Sequence, residues 1–269
     1  MVWFLYFHFC MKLLNYFFLF FSFAVFGQNQ ITTSLIKCTP FENTYLVRID
    51  EFGTQYFFNG NTFFAKGTFG NLEYTNIKLG NISSANAFNP LKINLFYTDF
   101  NTVIFLDNRL AEIQKIDFNN ITPFRDISHV SSAYDNDLWL FNVNTQQLEL
   151  FNYKSNKTKH KTLPVEGQLL DITSNYNYCW LLTAKYIYTY NYIGTLISKL
   201  KNDGFEAIKA NGQNLYLLKD NKLFFKAKNE ESFIIVKIPE LLISQFFVTN
   251  ETLYIYDGKN VNQYQLIKD

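Results

Sequence analysis

The sequence predicts an all-β protein, a six-bladed β-propeller built of four-stranded antiparallel blades. Three observations carry this. After residue 28 no amphipathic helical run appears. Short alternating segments rich in Tyr, Phe, Leu, Ile and Val are cut by Asn, Asp, Gly and Lys at the spacing of sheet turns. A short polar turn followed by an apolar pair then recurs six times along the chain.

Composition bounds the rest. The chain has 269 residues, with 24 Lys+Arg against 23 Asp+Glu. Residues 1–27 hold one of those cations, Lys12, so the remainder is formally neutral and lacks the basic face that nucleic acid requires. Aromatic residues make up 19% and charged residues 17%, which is ample apolar surface for a core and excludes disorder. The Phe- and Asn-rich, Arg-poor usage resembles that of AT-rich bacterial genomes.

The N-terminus reads as an export signal. Met11-Lys12 precedes the apolar run LLNYFFLFFSFAVF, and Val25 and Gly27 occupy the −3 and −1 positions of a cleavage site after Gly27. Residues 1–27 are therefore expected to be removed, with Met11 as a candidate true start. The competing expectation is an uncleaved anchor, since residues 1–26 are long enough to span a bilayer. Cleavage leaves one propeller over 28–269, placed in the periplasm or cell envelope. Cys38 and Cys179, the two cysteines of that region, do not make a disulfide framework and are expected to be free thiols.

The six recurring stretches are FENTYL ending at Leu46, DFNTVI at Ile104, YDNDLW at Trp139, NYNYCW at Trp180, NGQNLY at Tyr216 and TNETLY at Tyr254. From Ile104 the spacings are 35, 41, 36 and 38, a period suited to propeller blades. The interval from Leu46 to Ile104 is 58, read as one long blade with an extra hairpin in NGNTFFAKGTFGNLEYTN. Within residues 205–239 the four strands are FEAIKANG, NLYLLKD, KLFFKAK and SFIIVKI. Within 82–118 they are ISSANAF, INLFYTD, TVIFLD and LAEIQKIDF. The last unit shows only SQFFVTN, TLYIYD and VNQYQLI, so TTSLIKC at 32–38 is expected to supply its fourth strand and close the ring. That strand would carry Thr33, Leu35 and Lys37 on one face and Ser34, Ile36 and Cys38 on the other. Turns at Asp107-Asn108-Arg109, Asp220-Asn221-Lys222 and Asp257-Gly258-Lys259 are assigned to the second hairpin of their units.

The segment FLDNRLAEIQKIDF at 105–118 resembles an NHL-type propeller repeat, as does the Leu-Trp-Leu-Phe-Asn-Val-Asn run at 138–144. The resemblance implies a propeller of about six blades. It implies no particular activity, because propellers host hydrolases, lyases, carriers and scaffolds alike. Five or seven blades are the alternatives within the class. An outer-membrane barrel is the alternative outside it, disfavoured by strands too short to span, by the repeat, and by the Lys268-Asp269 ending.

No catalytic, cofactor-binding or metal-ligating set stands out. His129 opens an apparent first strand in ISHVSSAY, and His160 lies in KSNKTKHKT, read as a protruding loop. Neither has a second His or Cys at ligand spacing. No nucleophile elbow or phosphate loop is present. Asp99, Asp107, Asp135, Asp137, Asp220 and Asp257 read as turn formers rather than calcium ligands. Lys154, Lys157, Lys159, His160 and Lys161 could meet an anionic lipid or polysaccharide, but read as a solvated hairpin tip. Trp139, Trp180, Tyr216 and Tyr254 should pack between blades. Tyr186, Tyr188, Tyr190 and Tyr192 share one face, with Ile187 and Ile193 on the other, as in a strand between blades. The expected function is a non-catalytic protein-interaction or scaffold module with a protein or glycan partner in the envelope. No nucleic acid is expected as partner, and membrane is contacted only through the N-terminal segment. The alternative is a small-ligand binder or enzyme using the mouth of the central channel.

Overall fold

The computed structural model describes residues 30–42, 45–67 and 70–268. The segment 1–27, read above as an export signal, lies outside the described residues. Among those described, no helix is long and apolar enough to cross a membrane.

The described residues form 24 strands. β1 (Ile31–Pro40) stands apart from its sequence neighbours. Blade 1 is β2 (Tyr45–Ile49), β3 (Gln55–Asn59), β4 (Thr62–Gly67) and β5 (Gly70–Thr75). Blade 2 is β6 (Ser84–Asn86), β7 (Ile93–Tyr97), β8 (Thr102–Leu106) and β9 (Glu112–Asp117). Blade 3 is β10 (Ile127–Ser132), β11 (Asp137–Asn142), β12 (Gln147–Asn152) and β13 (Lys157–Lys161). Blade 4 is β14 (Leu169–Ser174), β15 (Tyr178–Thr183), β16 (Tyr186–Asn191) and β17 (Leu196–Lys201). Blade 5 is β18 (Ala207–Asn211), β19 (Asn214–Lys219), β20 (Lys222–Lys226) and β21 (Ile234–Val236). Blade 6 takes β22 (Gln245–Thr249), β23 (Thr252–Tyr256) and β24 (Asn260–Lys268) from the C-terminus and β1 from the N-terminus.

The ring closes as the sequence predicts. β1 pairs antiparallel with β24 from Ile31↔Lys268 to Pro40↔Asn260. It also touches β21 through the parallel pair Ile31↔Val236, which joins blades 5 and 6 into one continuous sheet. The expected alternation in β1 fails at one point. A bulge between Leu35 and Lys37 leaves Ile36 without a partner, and both Leu35 and Ile36 stay exposed.

Six apolar clusters, one between each pair of neighbouring blades, hold the ring. Phe63, Leu79 and Ile104 fill the joint of blades 1 and 2. Phe105, Phe118 and Phe151 fill that of blades 2 and 3. Trp139 packs blade 3 on blade 4, Trp180 blade 4 on blade 5, Tyr216 blade 5 on blade 6, and Tyr254 blade 6 on blade 1. The aromatic column is thus interblade core, and each such side chain contributes roughly 1.5–3 kcal/mol through burial. Middle strands meet a blade on either side. That is why β7, β8 and β11 are buried along their whole length and read as near-continuous apolar runs.

The repeat register needs one correction. Trp139, Trp180, Tyr216 and Tyr254 are each the third residue of a second strand, but Leu46 lies in the first strand of its blade and Ile104 in the third. The equivalent residues of blades 1 and 2 are Phe57 and Leu95, which gives spacings of 38, 44, 41, 36 and 38. No blade is long, and the supposed extra hairpin is β4 and β5. The Asp107 turn is likewise one hairpin out, joining β8 to β9, whereas Asp220 and Asp257 lie where expected. Every hairpin of a meander uses the same turn chemistry, so a polar turn before an apolar pair does not say which hairpin it belongs to. Four separate four-stranded sheets and one eight-stranded sheet made of blades 5 and 6 exclude the barrel alternative, and six blades among the described residues exclude five or seven.

Candidate functional site

The first strand of each blade lines a central channel, a cavity of about 510 Å³. These strands run in the same direction, because their cross-blade bonds join like positions. Thr249 Oγ1 donates to the Ile49 carbonyl at 3.0 Å, and the Ile208 amide donates to Asp171 Oδ2 at 2.9 Å. The channel therefore has a near end, where the first strands begin, and a far end, where they turn into the second strands.

Three ionisable side chains of the wall share one structural device. Arg48, His129 and Asp171 each directly follow a β-bulge, at Val47 in β2, Ser128 in β10 and Leu170 in β14. A bulge puts one extra residue into a strand and re-aims the next side chain. Lys209, on the regular strand β18, joins them by placing Nζ 2.8 Å from Asp171 Oδ2.

Their electrostatics differ. Burial lowers the Lys209 pKa, but Asp171 and Tyr45 outweigh it, so the ammonium is held above its ordinary value. Asp171 is fully engaged, since it also accepts the Ile208 and Ile172 amides. Burial pushes His129 below its ordinary value against the pull of Asp171. Its Nδ1 meets the hydroxyl of Ser128 at 2.9 Å. Burial also lowers Arg48, against the raising influence of Asp50 and Glu51. The Arg48 guanidinium lies 5.6 Å from the Phe88 ring centroid, and its Nε is buried without a protein acceptor.

Between blades 2, 3 and 4 the wall is closed by a polar network. Ser131 and Ser174 hydroxyls meet at 2.7 Å, Ser132 donates to Asn86 Oδ1 at 3.2 Å, and Asn94 donates to Ser132 Oγ at 2.9 Å. At the far end an aromatic strip leaves the channel. Phe88 meets Tyr176 edge-on at 5.0 Å, Tyr176 meets Tyr134 at 6.4 Å, and Tyr134 meets Tyr192 at 6.4 Å. Tyr134 and Tyr192 are 58% and 52% exposed and lie on loops of different blades, with the Ile193 side chain exposed beside them.

Of the candidate catalytic or binding residues singled out in the sequence, His129 lines the channel. His160 lies on β13, the outermost strand of blade 3, rather than in a loop, and its ring packs on Gly194, where no larger residue would fit. A run of Lys, Thr and His on an edge strand is as polar as a loop, which is why the two look alike in sequence. The basic cluster is partly neutralised: Lys159 pairs with Asp137 at 2.8 Å and Lys161 with Glu149 at 3.4 Å. Asp107 and Asp257 cap turn amides, and among the described residues no three His, Cys, Asp or Glu side chains converge. Tyr188 and Tyr190 are buried between blades 3 and 4, while Tyr192 belongs to the exposed strip. Cys179 is buried in blade 4, and Cys38 is exposed in blade 6.

Arg48, Asp171 and Lys209 went unnoticed in the sequence because no short motif joins them. The available signal is a lone charge inside an otherwise apolar strand: YLVRI, LLDIT and AIKAN.

Neither a protein-family model nor any curated protein sequence matches the chain. Solved structures do. A catalytically inactive variant of virginiamycin B lyase from Staphylococcus aureus, solved with quinupristin, is similar at TM-score 0.60 and 16% identity, over 82% of this chain and 80% of that one. A chain of the mitotic checkpoint complex is similar at TM-score 0.58 and 7% identity, over 91% and 95%. PorZ, a surface component of the type-IX secretion system of Porphyromonas gingivalis, is similar at TM-score 0.54 and 12% identity, over 84% of this chain and 32% of that one. At these identities the likeness concerns the fold alone, and with the sheet order and interblade clusters it establishes the chain as a β-propeller.

Proposed function

We propose that the protein is an exported cell-envelope interaction module, a non-catalytic scaffold that docks a protein partner on the far end of its propeller. The fold leaves this choice to the surface, since propellers serve catalysis and assembly alike. The aromatic strip of Phe88, Tyr176, Tyr134 and Tyr192 carries the reading. Exposed aromatic side chains on loops of a rigid ring offer contact area at little entropic cost, which is what protein interfaces favour. Export rests on the charge-then-apolar pattern of residues 11–27.

The channel groups do not assemble into a nucleophile and an oriented base. His129 meets the hydroxyl of its own neighbour, and both Asp171 oxygens are engaged elsewhere. The bulge-directed side chains support ligand binding at the channel as the second reading.

Two experiments test the proposal. N-terminal sequencing of the exported protein should find a chain starting at Gln28, and a chain retaining Met1 or Met11 overturns the cleavage. Cross-linking in intact envelopes should recover an identified partner with the wild type and with a near-end control, Phe124→Ser with Leu163→Ser. Tyr134→Ser with Tyr176→Ser should lose it. Equal recovery by both double variants overturns the assignment of the surface.

A further inference from the structure

Arg48 is the channel cation left without a carboxylate. Lys209 has Asp171, but among the described residues no ion pair involves Arg48. Asp50 and Glu51 attract the guanidinium from nearby without forming an ion pair with it, and the oxygens of Asp50 are taken up locally. Asp50 Oδ1 accepts the amides of Phe52 and Thr54 at 2.9 and 2.8 Å, and its Oδ2 accepts the Tyr56 hydroxyl at 3.3 Å. The guanidinium is nevertheless held in place. The bulge at Val47 redirects it, and the Phe88 ring, itself in edge contact with Tyr176, lies 5.6 Å from it. A desolvated Nε without an acceptor costs stability in the free protein, and a group kept at such a cost is the kind a ligand repays.

We infer that Arg48 is the seat of an organic carboxylate bound in the channel. A carboxylate offers two coplanar oxygens to the guanidinium fork and one negative charge to a channel cation that, among the described residues, has no ion-pair partner. Phosphate brings about 1.5–2 charges, more than this wall can answer once Lys209 is neutralised. The cavity of about 510 Å³ is the size that takes a small organic molecule, and Ala87, Val130 and Phe247 give its wall apolar surface for the rest of the ligand. The carboxylate can belong to a free acid or to the C-terminus of a peptide. The seat shares Phe88 and Tyr176 with the strip proposed above as a docking surface, but binding of a small acid to the purified protein is read without the docked partner.

Titration calorimetry on the purified protein tests this with 3-phenylpropanoate, with N-acetyl-glycyl-phenylalanine as free acid and as amide, and with inorganic phosphate. At least one acid should bind, and its amide or Arg48→Gln should weaken binding at least about tenfold, with Arg48→Lys between. Binding of the small acid alone assigns a free metabolite-like ligand, and binding of the peptide acid alone assigns a chain terminus. Either result supports the seat. No binding of either acid up to about 10 mM, phosphate binding tighter than both, or acid binding unchanged in Arg48→Gln overturns it. If Arg48→Gln fails to fold, the acid-against-amide comparison on the wild type and the Arg48→Lys variant decide the same question.

Discussion

Two of the three arginines in the chain lie over phenylalanine rings, and they do opposite things. Arg125 lies 5.3 Å over Phe151 and donates from all three of its nitrogens. Nε donates to Glu149 at 2.9 Å, one terminal nitrogen to the Pro123 carbonyl at 2.8 Å, and the other to Thr158 at 2.8 Å. Glu149 is wholly buried and also accepts from Asn142 and Thr158. Arg48 lies over its ring at 5.6 Å, but among the described residues its buried Nε has no acceptor. A ring contact alone therefore says nothing about role. The state of the donors separates a strut that ties a loop to blade 3 from a group left open to the channel.

The largest effect comes from opening the ring that holds both arginines. Deleting 31–38 removes most of the β1–β24 ladder and uncovers the edges of β24 and β21. Only Ile31 is deeply buried there, since Leu35 and Ile36 are exposed. The loss, of several kcal/mol, is thus expected to come from backbone pairing and ring closure more than from apolar burial. Denaturant unfolding and light scattering should show lower stability and association. A deletion variant that stays monomeric with an unchanged melting temperature contradicts the closure.

Next comes the strut itself. Arg125→Met leaves the Glu149 carboxylate buried with Asn142, Thr158 and Lys161, the last at 3.4 Å, and should cost about 3–5 kcal/mol. Arg125→Met with Glu149→Leu should recover much of this, because the buried charge is then gone. A double variant that adds the two single losses contradicts the pairing.

Smaller effects follow pH. The folded-state pKa of His129 lies below its ordinary 6.5, so the unfolded chain takes up protons first. This stability is complete above about 6.5 and declines as pH falls through that value. Burial raises the Glu149 pKa, but the bonds from Arg125, Asn142 and Thr158 together lower it below its ordinary 4.5. Its contribution therefore holds above about 4.5 and is lost at more acid pH. His129→Gln should remove the upper decline in a pH series of unfolding curves and leave the lower one. An unaltered upper decline assigns it to another group.

The fold was largely legible because it is periodic. The turn residues of blades 5 and 6, the Trp or Tyr at the third position of second strands, and the missing strand of the last unit all leave marks in the sequence. The register of blades 1 and 2 was not legible, since Phe57 and Leu95 are preceded by FGTQ and PLKI rather than by the Asn- and Asp-rich turns of later blades. The site was hardly legible at all. Arg48, His129, Asp171 and Lys209 come from four blades, and three of them reach the channel through bulges that no residue type announces. The aromatic strip has the same origin, with Phe88, Tyr134 and Tyr176 on successive loops that only the ring brings together.

The contrast between the two arginines is tested most directly by their stabilities side by side. Arg48→Met and Arg125→Met should be unfolded in denaturant at pH 7 without ligand. Arg48→Met is expected to match or slightly exceed the wild type, because it removes a desolvated donor that no protein group answers, while Arg125→Met falls by about 3–5 kcal/mol. A loss for Arg48→Met comparable to that of Arg125→Met would show that both arginines are struts and that the channel cation is not held open for a ligand.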